Sequence, residues 1–282
     1  MVSTEPLITD VSDTARWAAA YRAIESSRKD ALFCDPFADR MAGPSGYEII
    51  NAAPRKMRTG LGVVVRTKII DDLIQDALAH GCRKVLNLAA GLDTRPYRLD
   101  LSPELVWVEA DLPRLLAEKE RLLADEVPTC RLQRHTVDLS DAEAMRSFLA
   151  AEVTSPANTL VITEGLVQYL DDDQVGELSS ALREANVNWW IVDVMNATMQ
   201  NAMEKSCGTL FANAPFRFVS DDPIAHFEER GWTATDVESV YMTARKANRL
   251  PWHLKALAPL LEPDPRNTGG RPWGGVLRLS PS

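Results

Sequence analysis

The chain has 282 residues, 45% of them hydrophobic and 25% charged, which suffices to bury one large core or two small ones. A formal net charge of -9 argues against nucleic acid as a partner, because phosphate binding needs a basic surface. Cys34, Cys82, Cys130 and Cys207 are scattered without a CxxC pair, which excludes a disulfide framework and points to a reducing compartment.

His80, His135, His226 and His253 show no ligand spacing, so no protein-built metal site is expected. The N-terminus lacks a basic-then-apolar signal pattern, and no apolar run approaches the roughly 20 residues that cross a bilayer. The expectation is a cytoplasmic protein with no membrane partner.

In chain order, VSDTARWAAAYRAIESSR predicts a helix. Trp17, Ala20, Tyr21 and Ile24 share one face, and Ser12 or Asp13 caps it. Pro36, Pro44 and the glycines break the pattern in DALFCDPFADRMAGPSG. A second helix is expected over 57–80, with Ile70, Leu73, Ile74, Ala77 and Leu78 as its buried stripe and Gly81 as its stop.

Strands and helices then alternate. KVLNLAA, LVWVEAD, RLQRHTVDL, NTLVITEGLV and WWIVDVM read as strands. Pro113 opens the helix after the second strand. Ser140 and Glu143 form a capping box before DAEAMRSFLA, and Asp171 to Asp173 mark the start of the helix after the fourth strand. Residues 196–221 show no clear period. DPIAHFEERG is a short helix, TATDVESVYM a sixth strand, and GVLRLS a last strand after a Pro- and Gly-rich loop. This order implies an α/β fold with an open, mostly parallel sheet covered by helices on both faces. Ligands of such sheets bind at the carboxyl ends of the strands.

The turn after the first strand reads AAGLDT. It lacks the GxGxxG of a dinucleotide turn, and no GxxxxGK[ST] occurs in the chain, so it suits a ligand without phosphate. Gly91 allows close approach of backbone to a flat ligand. Asp93 and Thr94 read as capping the helix that follows. The second strand ends in Glu109-Ala110-Asp111, and a carboxylate there can accept both hydroxyls of a ribose. Asp138-Leu139 sets an acid for an exocyclic amine beside an apolar contact for an adenine face. Glu164 lies in an apolar run, where a carboxylate is costly unless it meets a cation or donors. Arg66 can meet a carboxylate in a bidentate fork. Adenine, ribose and a zwitterionic amino-acid end without phosphate describe S-adenosylmethionine. Plainer readings stand beside these: Arg66 as a solvated helix residue, Asp111 as a helix cap, Asp138 as a turn former.

VSDTARWAAAYRAIESSRKDALFCDPFADRMAG, RTKIIDD, VLNLAAGLDTRPYRL, VEADLP and TEGLVQYL, spanning about the first 60% of the chain, resemble the leucine carboxyl methyltransferase family. The likeness is to its bacterial branch of S-adenosylmethionine-dependent O-methyltransferases of the polyketide type. It implies a class I methyltransferase, Rossmann-like fold with a seven-stranded sheet and an N-terminal helical cap. One domain is expected, with the cap at 1–56, a cofactor-binding core at 57–195 and an acceptor-side part at 196–282. By resemblance, Arg66 holds the cofactor carboxylate and Glu164 its amino group. Gly91 lies along the methionine end, Asp111 at the ribose, and Asp138 and Leu139 at the adenine, with Ala90 and Leu112 as further cofactor-binding residues. Tyr169 lines the methyl-transfer region. The motif reads AAGLDT where relatives often show GAGLDT, and similarity fades after about residue 200.

The expected activity is O-methylation of a carboxylate or hydroxyl on a small, largely apolar metabolite. A carboxylate is already ionised at neutral pH and needs no base, whereas a phenol or alcohol gains from one. Tyr21, Tyr169, His226 and His253 are the acceptor-side candidates. Trp17, Tyr21, Met199, Met203, Phe211, Phe216 and Phe218 are candidate apolar walls, and Arg22 a candidate partner for an acceptor carboxylate. The alternatives are an NAD-dependent oxidoreductase, disfavoured by the missing glycines, and a non-catalytic S-adenosylmethionine-binding module.

Overall fold

A computed structural model describes residues 7–55, 57–207, 210–250 and 252–282, without the side chains of residues 11, 252, 253, 257, 259 and 261. The expectation for His253 therefore falls outside the described residues. Among the described residues, seven strands form one sheet in the order β3-β2-β1-β4-β5-β7-β6. They are β1 (Lys84–Leu88), β2 (Val106–Asp111), β3 (Arg131–Thr136), β4 (Thr159–Thr163), β5 (Trp189–Met195), β6 (Trp232–Ser239) and β7 (Gly274–Pro281). β1 to β5 are mutually parallel, and β7 runs antiparallel to both β5 and β6. The strand order reverses at β1, whose neighbours are β2 and β4. A crevice opens at such a point, beyond the carboxyl ends of the strands.

The helices are α1 (Val11–Ser26), α2 (Ala38–Ala52), α3 (Leu61–Ala79), α4 (Arg95–Arg98), α5 (Pro113–Leu122), α6 (Ala142–Glu152), α7 (Asp172–Glu184), α8 (Ala197–Cys207), α9 (Pro223–Glu228), α10 (Val240–Lys246) and α11 (Trp252–Leu261). Alternation along the strands divides the core in two. Leu86, Leu88, Val108 and Val161 pack with Phe148 and Leu149 of α6 and Leu178 and Leu182 of α7. Val85, Trp107, Leu160 and Ile162 pack with Ile70, Leu73 and Ile74 of α3. Both sheet faces are thus covered, which is why the strands read as continuous apolar runs. No helix among the described residues is long and apolar enough to cross a membrane.

Several local expectations are corrected. Asp10, not Ser12 or Asp13, caps α1 and accepts the Ser12 N–H at 2.8 Å. Ile24 is 41% exposed, whereas Ala19, Ala20 and Tyr21 carry the buried face. α2 passes through Pro44, where a break was expected. The bend falls on Gly43, at φ +54, so Pro44 stands at the start of the second half, where its missing N–H costs nothing. α3 begins at Leu61 rather than 57. It ends as expected at Gly81, with φ +101. The Gly81 N–H meets the Leu78 carbonyl at 3.2 Å and the Cys82 N–H meets that of Ala77 at 2.9 Å, a Schellman closure. Asp141, not Ser140, caps α6. α8 lies in the stretch that showed no period, and the sixth strand gives way to α10 at Ser239, which caps it.

α1 and α2 form a cap whose small core joins Ala20, Tyr21, Met41 and Ile50 to Val64 of α3, Leu92 and Leu115 of α5. Ion pairs from Arg16 to Glu118 and from Arg114 to Asp10 clasp α1 to α5.

Candidate active site

A cavity of about 360 Å³ lies at the carboxyl ends of β1 to β4, between the sheet and α1. Arg66, Ala90, Gly91, Asp111, Leu112, Asp138, Leu139, Glu164 and Tyr169 all stand on its wall. These nine come from the amino-terminal part of α3 and from the segments that leave four different strands. Sheet order, not sequence proximity, brings them together.

The β1 exit is a tight left-handed turn, with Ala89 at φ +53 and Gly91 at φ +48. The turn is locked to β2. The Gly91 N–H donates to Asp111 Oδ2 at 2.6 Å, and the Leu112 N–H donates to Asp111 Oδ1 at 2.7 Å. Burial pushes the Asp111 carboxyl up, and these two donors oppose the push. Each oxygen retains a second lone pair for a ligand hydroxyl. Glu109, the other acid of this segment, lies off the cavity wall. It is fully buried between Lys119 at 2.6 Å and Arg134 at 2.8 Å. At the β3 exit, Asp138 Oδ1 accepts the Ser140 hydroxyl at 2.6 Å and its N–H at 3.0 Å. These bonds hold its carboxyl below the ordinary value.

Glu164 sits between two arginines. Its Oε1 accepts Arg66 Nε at 3.0 Å and its Oε2 accepts Arg95 Nη1 at 2.7 Å. Burial alone would raise its carboxyl, but Arg95 and Arg66 outweigh burial and lower it. Arg95 is 2% exposed and also meets Asp71 at 2.6 Å and Asp93 at 2.8 Å. Arg98 closes a fork on Asp71, with both bonds at 2.8 Å. The N-cap of α4 is Thr94, which makes no side-chain cap bond, whereas Asp93, one residue earlier, accepts the Arg95 backbone N–H at 2.9 Å in an Asx turn. The second Asp93 oxygen joins the ion network and takes Asn87 Nδ2 at 2.8 Å. The region below the Arg66–Glu164 end of the cavity is thus a continuous set of alternating charges.

Sequence reasoning missed Arg95, Asp71, Asn87 and Asp193. Asp193 carries the same signal as Glu164, an acid inside an apolar strand, and it pairs with Arg66 Nη1 at 2.8 Å. Asp71 carries it too, as an acid on the buried stripe of α3.

The acceptor-side candidates separate. Tyr169 lines the cavity, and its phenol is raised by burial. Tyr21 lies off the cavity wall, with its O–H donated to the Met57 carbonyl at 2.7 Å. His226 also lies away from the cavity, edge-on to Phe218 at 4.7 Å, and burial lowers its pKa. Of the expected apolar walls, Trp17 reaches the cavity. Phe211 packs behind Trp17 at 5.2 Å, and Phe216 behind Tyr169 at 5.8 Å. Met199, Met203 and Phe218 do not line it. Arg22 does, but it is buried and already committed to Asp35 at 2.9 Å and to the Leu92 carbonyl at 2.7 Å.

Residues 15–183 match the sequence profile of the family described as leucine carboxyl methyltransferase. A Streptomyces coelicolor protein, named as a candidate S-adenosyl-L-methionine-dependent methyltransferase, is 32% identical over 255 residues, covering 85% of this chain and 90% of its own. Two solved structures share the fold. A DUF574-family protein from Streptomyces avermitilis superposes with a TM-score of 0.57 at 17% identity, over 94% of this chain and 96% of that one. Magnesium protoporphyrin IX methyltransferase from Synechocystis, solved with SAH bound, superposes with a TM-score of 0.50 at 12% identity, over 85% and 95%.

Proposed function

This chain belongs to the leucine carboxyl methyltransferase family and is an S-adenosylmethionine-dependent methyltransferase; we propose that it methylates an oxygen of a small, largely apolar metabolite. The observation that carries the reading is the meeting in one cavity of Arg66, Gly91, Asp111, Asp138 and Glu164.

The donor set fits the cofactor. Arg66 and Glu164 offer a cation and an anion side by side for a zwitterionic amino acid. Asp111 offers two acceptor oxygens for ribose hydroxyls, with Ala90, Gly91 and Leu112 along the same edge. Asp138 and Leu139, with Val137, offer one acid and apolar contacts for adenine. Pyrophosphate fits poorly. Asp93, Asp111, Asp138 and Glu164 line the wall, and its arginines are tied to carboxylates, which disfavours an NAD-dependent oxidoreductase.

When bound, the sulfonium of S-adenosylmethionine supplies an activated methyl group. The protein's own task is to align an acceptor and exclude water. The wall not assigned to the cofactor combines Trp17, Ala18, Val63, Leu166 and Leu170 with the hydroxyls of Ser12, Thr14 and Tyr169 and the amide of Gln168. This wall suits an apolar body bearing neutral polar groups. Among the described residues, Arg22 and Arg95 on the cavity wall are committed to carboxylates and Arg66 is assigned to the cofactor, so no wall arginine is left for an acceptor carboxylate. That supports a hydroxyl acceptor over a carboxylate, which would enter without a counter-ion.

Isothermal titration with S-adenosylhomocysteine tests the cofactor reading, and absence of binding overturns it. Methyl transfer from labelled S-adenosylmethionine to 2-naphthol and to 2-naphthoate tests the acceptor. Transfer to naphthoate alone would reverse the preference for a hydroxyl.

A further inference from the structure

We infer that Asp193 is a positioning residue for the amino-acid end of the cofactor, acting through Arg66 and the Gly165 turn without touching the ligand itself. The inference rests on the methyltransferase reading above.

Asp193 lies in β5, is 5% exposed and is not on the cavity wall. Its two oxygens are divided between two groups that are on the wall. Oδ2 accepts Arg66 Nη1 at 2.8 Å, and Oδ1 accepts the Gly165 N–H at 2.7 Å. Register explains how it reaches both. The β4–β5 ladder ends with Thr163 opposite Val192, so Asp193 stands beside the point where the chain leaves β4. Glu164 and Gly165 are the first residues of that exit.

Gly165 has φ +71, a conformation that L side chains rarely adopt, and it turns its N–H onto Asp193. A Cβ at Gly165 would lie 3.8 Å from Arg66 Nη2 and 4.0 Å from Nη1. The turn and the guanidinium are therefore neighbours held by one carboxylate. Arg66 has its Nε on Glu164 and its Nη1 on Asp193, so two anchors fix the plane of the fork. With only the Glu164 anchor, the guanidinium could follow that side chain as the carboxylate engages a ligand ammonium. Asp193 keeps Arg66 in place when Glu164 changes partner. Fixing a group in its binding geometry beforehand strengthens binding by lowering the ordering cost.

The competing possibility is that Asp193 only neutralises a buried arginine and supports the fold. Two ligands separate these roles. S-adenosylhomocysteine carries the amino-acid end, and 5′-methylthioadenosine keeps adenine, ribose and sulfur but lacks it. Isothermal titration of the full-length Asp193→Asn protein should show S-adenosylhomocysteine weakened about tenfold or more, with 5′-methylthioadenosine changed less than about twofold. In an Arg66→Ala background the same substitution should add little to the loss, because the two residues act as one unit. If Asp193→Asn does not fold, Asp193→Glu keeps the charge but displaces it by one methylene, and the same ligand pair is measured. Equal weakening of both ligands, or of neither, overturns the inference. Failure of the unmutated protein to bind S-adenosylhomocysteine overturns the methyltransferase reading instead.

Discussion

The carboxylate of Asp111 accepts the backbone N–H of Gly91 at 2.6 Å, tying the exit of β2 to the turn that leaves β1. One residue thus sets the shape of the turn and presents acceptor oxygens to the cavity. Asp111→Ala leaves the Gly91 donor without that partner, which should cost about 1–3 kcal/mol in urea denaturation. It should also remove measurable S-adenosylhomocysteine binding in calorimetry. A variant of unchanged stability and affinity would strip this link of both roles.

Arg95 is the centre of the buried charge network, with Asp71, Asp93 and Glu164 on its guanidinium. Arg95→Met keeps much of the volume but takes away the guanidinium that Asp93 meets, while Asp71 keeps Arg98 and Glu164 keeps Arg66. The expected loss is about 3–5 kcal/mol in equilibrium denaturation, since removing one partner strands buried charge. A loss below about 1 kcal/mol would show that the carboxylates find other partners or take up protons.

The same network sets a pH dependence. Glu164 is buried, yet Arg95 and Arg66 hold its carboxyl below the ordinary value. The unfolded chain therefore binds its proton more readily than the native one. Its contribution to stability is present above about pH 4.3 and is lost as pH falls through the lower native value. Asp111 has the opposite sign, because burial raises its carboxyl and its contribution is lost as pH rises. Thermal midpoints of the wild type and Glu164→Gln should differ most at pH 6 to 7, and the difference should shrink as pH falls below about 4. A difference that stays constant across this range would rule out ionisation of Glu164 as its source.

Ala89 occupies the left-handed region at φ +53. A non-glycine residue there is strained by about 1–2 kcal/mol, against which glycine loses about 0.5–1 kcal/mol in entropy. Ala89→Gly should therefore raise stability by up to about 1 kcal/mol, read as a higher midpoint in scanning calorimetry. Ala89→Val should lower it. A lower midpoint for the glycine variant would mean that the strain is relieved elsewhere in the turn.

The α/β alternation and the five parallel strands were legible, because strands buried on both faces must be apolar throughout and Pro or Gly punctuates their ends. A charged residue inside such a run pointed to Glu164 for the same reason. α2, α8 and α10 were not legible. α2 bends at Gly43 so that Pro44 begins a new turn, and α8 carries only Gln200 and Cys207 as buried residues, too few to show a period.

What the sequence determined by itself was the kind of sheet, the strand exits that face a ligand and the residue types placed there, since these follow from local patterning and desolvation cost. What only the tertiary structure decided was who pairs with whom. Arg66 meets Glu164 across 98 residues and Asp193 across 127, and Arg95 meets Asp71 across 24. Tyr21 and His226 stay away from the cavity, while Arg22 lines it with its charge already spent on Asp35. Such pairings depend on strand order and helix placement, and the strength of a buried charge depends on the distance to its partner, which no linear spacing contains.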